Sequence, residues 1–230
     1  MDSIHQFLNN LERLQARIKI ACDLVNRPIG EVELMAVTKT HPAEAANWAL
    51  AAGLRRIGEN RVQEAAAKRP LANAGGAWEL IGPLQSNKAR LALETVDRIQ
   101  TVDRLKLVQV LDRHCAEMGK TGYPVLMQVN VGKDPAKHGC LESDAAALAE
   151  AILSSKCLSL EGFMTIGELT DDEVTIRRTF SSLRSLRDKL EESLGLALPV
   201  LSMGMTDDLE WAIAEGSTLI RVGTALFGGR

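Results

Sequence analysis

Glu33-Leu34-Met35-Ala36-Val37-Thr38-Lys39 is an aliphatic run that stops on a lysine, and His41-Pro42 then opens an Ala-rich segment. A short run without a polar face reads as a buried parallel strand, and the abrupt change behind it as a strand-to-helix turn. The lysine is thereby delivered to one rim of a sheet. It is either a strand end whose amine reaches water on its own aliphatic stem or an amine kept for chemistry. The rest of the chain has to separate these two readings.

Working outward, the strand-and-helix unit repeats. Upstream, Ile4, Phe7, Leu8, Leu11, Ile18, Cys22 and Val25 recur at helical spacing over 2–26, and Arg27-Pro28-Ile29-Gly30 ends that helix. Downstream, a helix over 42–52 closes at Gly53, a short strand Arg55-Arg56-Ile57 runs into Gly58-Glu59-Asn60, and a second Ala-rich helix reaches Pro70. Further strands are read at 78–81, 98–101, 123–130, 158–165, 198–202 and 218–222, with helical patterns between them. Alternating β and α units give a parallel sheet, and eight of them in 230 residues fit an α/β fold of the TIM (β/α)8 barrel type. The expectation is one domain over 1–230, with the extra N-terminal helix of 1–30 packing on the barrel. An open doubly wound sheet that binds a dinucleotide requires GxGxxG after the first strand, and that motif is absent there.

Composition narrows the function classes. Hydrophobic residues make up 46% of the chain, enough for a large core, while aromatic residues are only 3%, too few for a base-stacking surface. A formal net charge of −3 gives no electrostatic reason to expect nucleic acid or an anionic membrane. No apolar run reaches the length of a membrane span, and the N-terminus reads as a polar helix rather than a signal peptide. Cys22, Cys115, Cys140 and Cys157 are scattered without CxxC spacing, so reduced thiols and a cytoplasmic location are expected. His5, His41, His114 and His138 show no metal-ligand spacing.

In a barrel of this kind the reacting groups stand at the carboxyl ends of the strands. Four of those ends share an aliphatic-Gly signature: Ile57-Gly58, Ile81-Gly82, Ile166-Gly167 and Val222-Gly223. Tight turns explain any one of them; four on one rim suggest backbone approaching a ligand. Leu201-Ser202-Met203-Gly204-Met205 and Arg221-Val222-Gly223-Thr224 end strands seven and eight, where barrels commonly hold a phosphate on exposed N–H groups. Ser202 and Thr224 add hydroxyls there, with helix capping as their alternative role. An amine on strand one beside a phosphate cradle on strands seven and eight suggests a phosphorylated carbonyl compound held as a Schiff base. Pyridoxal 5′-phosphate (PLP) and a sugar phosphate awaiting aldol cleavage both answer that description. With PLP, an Arg221 facing the ring nitrogen keeps that nitrogen an unprotonated acceptor, because a guanidinium stays charged. Such a ring is a poor electron sink.

Ala36-Val37-Thr38-Lys39, Gly58-Glu59-Asn60-Arg61, Ile81-Gly82-Pro83-Leu84-Gln85-Ser86-Asn87-Lys88, Gly162-Phe163-Met164-Thr165-Ile166, Leu201-Ser202-Met203-Gly204-Met205 and Arg221-Val222-Gly223-Thr224-Ala225-Leu226-Phe227-Gly228 together resemble the pyridoxal phosphate homeostasis protein family, in order, from about residue 33 to the end. The resemblance implies a barrel similar to the cofactor domain of alanine racemase, PLP bound covalently to Lys39, and Arg221 at the ring nitrogen. It further implies Ser202, Gly204, Gly223 and Thr224 around the phosphate, Asn60 near the ring, and a role in vitamin B6 homeostasis without an established reaction. Phe163 stands where the family often has Leu, and Ala136-Lys137-His138-Gly139 where it often has Ser-Lys-Ser-Gly, which leaves the role of the 133–140 loop open.

The expected function is therefore a non-catalytic carrier that passes PLP transiently to apo PLP-dependent enzymes, as a monomer with a dimer as the alternative. The rival is a PLP-dependent amino-acid racemase or lyase. Racemisation needs bases on both faces of the bound substrate. The single tyrosine, Tyr123, begins strand five, at the wrong end of the barrel. Lys88 and Lys137 are read first as solvated lysines, and second as transient acceptors of PLP.

Overall fold

The structure is a computed structural model that describes residues 3–228 apart from 74, 133, 135, 136 and 169. Eight strands, β1 (Glu33–Val37), β2 (Arg56–Glu59), β3 (Ala77–Leu80), β4 (Arg98–Val102), β5 (Tyr123–Gln128), β6 (Leu158–Met164), β7 (Val200–Ser202) and β8 (Leu219–Val222), close into a barrel in sequence order. Every neighbouring pair is parallel, and β8 returns to β1 with Met35 beside Arg221. Helices α2 (Ala43–Ala51), α3 (Val62–Lys68), α4 (Ala89–Thr95), α5 (Leu105–Glu117), α6 (Ala145–Leu153), α7 (Glu173–Leu194) and α8 (Leu209–Ala214) connect them, and α9 (Thr224–Phe227) follows β8. The (β/α)8 barrel expected from the sequence is the observed fold.

The strand ends differ from the sequence reading for local reasons. β1 stops at Val37, because His41 N–H donates to Thr38 O (3.0 Å) and closes a turn that carries Lys39. β5 ends at Gln128, with Val129 left as an isolated bridge to Cys140. β7 begins at Val200 rather than 198, after Pro199, which has no N–H for the ladder.

Alternation along the strands sorts the side chains into two compartments. Residues such as Ile57, Ile99, Phe163 and Leu201 point outward and pack with Leu111, Phe180 and Leu183 of the helices in the main core. Met35, Val37 and Leu219 form a separate cluster with Ile81 and Val200 inside the barrel. Leu126 and Met164 are level with Val200 and Ser202, and buried polar residues, Glu79, Arg98, Gln100, Ser202 and Arg221, take further inward positions.

The N-terminal helix α1 (Ser3–Leu24) lies across α8 and α9. Phe7, fully buried, stacks on Phe227 with ring centroids 5.3 Å apart, Asn10 Nδ2 donates to Leu226 O, and Arg17 pairs with Glu210 at 2.7 Å. All four cysteines are free and buried. Burial pushes Cys115 up to about 11 and Cys140 to about 12, so neither is a thiolate at neutral pH. Among the described residues no helix is long and apolar enough to cross a membrane, and no cluster of His, Cys, Asp and Glu could hold a metal ion.

Candidate functional site

Met35 and Val37 face the barrel interior, and counting on by two brings Lys39 to its mouth. Lys39 is exposed, in the turn after β1, and its amine meets no hydrogen-bond or ion-pair partner among the described residues. Both residues beside it are tethered. Thr38 Oγ1 donates to Glu59 Oε1 (2.6 Å), Lys68 Nζ donates to Thr38 O and to Glu59 Oε1 (both 2.8 Å), and Thr40 N–H donates to Glu64 Oε2 (3.0 Å). Thr40 has φ 65°, a left-handed conformation that a β-branched residue adopts only when its surroundings impose it. The turn is thus built to hold its shape while leaving the lysine free. Glu59 is fully buried, burial raises its pKa above the ordinary value, and its Oε2 has no partner among the described residues.

Two inward positions below, on the neighbouring strand β8, stands Arg221, only 4% exposed. Its Nη1 donates to Ser202 Oγ (2.7 Å) and its Nη2 to Thr165 O (2.8 Å), which leaves the other N–H donors of the guanidinium unspent among the described residues. Burial lowers its pKa to about 10, partly offset by the attraction of Asp208, and it is still a cation at neutral pH. Gly223 follows on the same inward series. A Cβ there would lie 3.0 Å from Val37 O, so the rim is closed tightly at the β8–β1 seam. Gly204 has φ +94°, and a Cβ on it would come within 2.5 Å of Ala212 and 2.9 Å of Ile220. Thr224, exposed, opens α9, where the first N–H groups have no acceptor within the helix.

The structure gathers Lys39, Arg221, Gly204, Gly223 and Thr224 on the β1, β7 and β8 rim, and Asn60 just after β2. Asn60 lines a cavity of about 570 Å³ with Arg61, Lys88, Arg104 and His138. Ser202 differs from expectation in its side chain: the hydroxyl is fully buried and points into the barrel, donating to Gln100 Oε1 (2.7 Å) and accepting from Arg221. The four aliphatic-Gly strand ends also have a more local cause. None of Gly58, Gly82, Gly167 and Gly223 has a positive φ. A Cβ on Gly58 would meet Met35 Sδ at 2.7 Å and one on Gly82 would meet Asn60 O at 2.1 Å, so these two glycines serve packing. Lys137 Nζ is bonded to Gly167 O (2.8 Å), whereas Lys133, Pro135 and Ala136 of the same loop lie outside the described residues.

Sequence reasoning did not single out Gln100, Glu59 and Lys68. A signal existed for Gln100: Arg98 and Gln100 alternate with Ile99 in a strand buried throughout, and a polar residue at an inward barrel position needs a partner.

The residues present fit PLP by their chemistry: an unpartnered amine at the mouth, a caged guanidinium with free donors below it, and a glycine-lined corner with free N–H groups. Residues 9–230 match the family described as alanine racemase, N-terminal domain. The pyridoxal phosphate homeostasis protein of Pseudomonas aeruginosa is 44% identical, covering 96% of this chain and 94% of its own. PipY of Synechococcus elongatus, solved with PLP bound, is 38% identical with a TM-score of 0.81, covering 92% of this chain and 100% of that one. An alanine racemase of Clostridium difficile superimposes with a TM-score of 0.81 over 100% of this chain and 57% of that one, but at 15% identity it shares the fold alone. By sequence over nearly its full length and by fold, the chain belongs to the alanine racemase N-terminal domain family, within the group whose members are called pyridoxal phosphate homeostasis proteins.

Proposed function

We propose that the chain holds PLP covalently on Lys39 and passes it to apo PLP-dependent enzymes, as a cytoplasmic monomer serving vitamin B6 homeostasis. The observation that carries this reading is the pairing of an unpartnered Lys39 amine with a buried, fixed Arg221 on adjacent strands of one barrel mouth. The PLP-bound PipY relative supports the cofactor, and the names of the curated relatives support a homeostatic role rather than a reaction.

When bound, PLP supplies an aldehyde that condenses with a primary amine and a ring that can draw electrons toward its nitrogen. Lys39 offers the amine. Arg221 directs its unspent N–H groups at the ring nitrogen and, being a cation, donates but never accepts there. Gly204, Gly223 and Thr224 present backbone N–H and hydroxyl groups to the phosphate, Ser202 supports that corner from within, and Asn60 stands beside the ring. Tyr123 is no second base: it starts β5, at the opposite end of the barrel, and its hydroxyl donates to Val96 O (2.6 Å). Burial pushes its pKa above the ordinary tyrosine value. These features favour holding the cofactor over turning over an amino acid.

The test is an absorption spectrum of wild type beside Lys39→Ala, with PLP, before and after borohydride. The expected result is a visible band that needs Lys39 and is fixed by reduction; a wild type that stays colourless with added PLP overturns the reading. Mass spectrometry of the reduced protein addresses Lys88 and Lys137, and label confined to Lys39 removes them as acceptors.

A further inference from the structure

Below Arg221 the barrel is filled by charge. Glu79 receives Arg56 Nη1 (2.5 Å) and both Nε and Nη2 of Arg98 (2.7 and 2.9 Å), while Arg56 also meets Glu33 (2.5 Å) and Arg98 meets Glu161 (2.9 Å). Three carboxylates thus share two guanidiniums, and only Glu79 of the three is fully buried, Glu33 and Glu161 being 38% and 37% exposed. Among the described residues, Arg221 has no carboxylate in hydrogen-bond contact. The acid whose attraction it feels is Asp208, whose Oδ1 already accepts from Met205 N–H (2.6 Å).

A chain of three hydrogen bonds joins the two ends. Arg221 Nη1 donates to Ser202 Oγ, Ser202 Oγ donates to Gln100 Oε1, and Gln100 Nε2 donates to Glu79 Oε2, each at 2.7 Å. Chemistry alone sets every direction. A guanidinium only donates and a carboxylate only accepts. The Gln100 amide must therefore turn its nitrogen to Glu79 and its oxygen to Ser202, and the serine hydroxyl must receive from Arg221 and give to Gln100. All donors point the same way, from cation to anion, so each bond polarises the next.

We infer that Gln100 and Ser202 are positioning residues that link Arg221 to the buried Glu79 carboxylate and fix the aim of its guanidinium at the PLP ring. This rests on the PLP reading above. Without the relay, Ser202 Oγ loses the one acceptor it has among the described residues and rotates, and Arg221 keeps Thr165 O.

The experiment titrates PLP into the full-length chain, following the visible band, for wild type, Gln100→Leu, Ser202→Ala and Ser202→Thr, each also in an Arg221→Gln background. Loss of one charge-assisted bond predicts a dissociation constant raised about tenfold in Gln100→Leu and Ser202→Ala, with a displaced band maximum. Ser202→Thr, which keeps the hydroxyl, is expected to stay within about twofold of wild type. In the Arg221→Gln background the same two losses should shrink below about twofold, because they act through Arg221. A direct role of Ser202 at the phosphate would leave its loss undiminished there, and that result overturns the relay. So does wild-type affinity and spectrum in both relay variants. Should Gln100→Leu fail to fold, Ser202→Ala and its cycle with Arg221→Gln decide between relay and phosphate contact. A wild type without any band defeats the PLP reading instead.

Discussion

At the scale of single residues, the site is held by what surrounds Lys39 rather than by Lys39 itself. Lys68 is the keystone: its side chain is 12% exposed and bridges Thr38 O, Glu59 and Glu64. Lys68→Met strips a fully buried carboxylate of its cation, so the folded state should lose about 3 kcal/mol in urea unfolding. The covalent capture of PLP should slow as the 38–40 turn loosens. Glu59 predicts a pH signature. Its folded pKa lies above the unfolded one, chiefly through burial, so the native state binds the proton more tightly. The contribution is therefore most favourable below the unfolded value near 4.5, and is lost as pH rises through the folded pKa. Unfolding of wild type and Glu59→Gln compared across that range should show wild type losing ground as pH rises. A constant difference would mean that Glu59 titrates normally.

At the scale of elements, β1, β7 and β8 deliver the residues of the rim, and the connection behind each strand decides how they are presented. Gly204 combines a left-handed backbone with close neighbours on two sides. Gly204→Ala places a side chain at φ +94° against Ala212 and Ile220, and should cost about 2–3 kcal/mol in chemical denaturation and weaken PLP retention. Retention unchanged in a folded Gly204→Ala would separate this junction from the phosphate corner. Such elements were legible in the sequence because their cues are local. A strand buried on both faces is an apolar run, and Lys39 and Gly223 fall directly behind two of them. The relay was not legible. Ser202 and Gln100 are 102 positions apart in sequence, and they meet only because β4 and β7 face one another across a closed barrel. Reading Ser202 from its neighbours Met203 and Gly204 pointed to the phosphate; its hydroxyl is instead engaged inside the barrel by partners on β4 and β8.

At the scale of the whole molecule, the N-terminal helix is a brace for the mouth. Phe7 is packed between Trp48, after β1, and Phe227 of α9, so one ring ties together the helices behind both Lys39 and Thr224. Phe7→Ala should destabilise the fold by about 3–5 kcal/mol and speed PLP loss, measured by thermal unfolding and by ultrafiltration of the loaded protein. PLP loss at the wild-type rate in the weakened variant would confine α1 to stability. The closure of β8 on β1 has a consequence for encounters with other proteins. A cylinder of eight paired strands has no free sheet edge, so no partner can dock by adding a strand to it. On the carrier reading proposed above, an enzyme collecting PLP has to approach the loops and helix ends that ring the mouth, so that docking and access to the cofactor share a single opening.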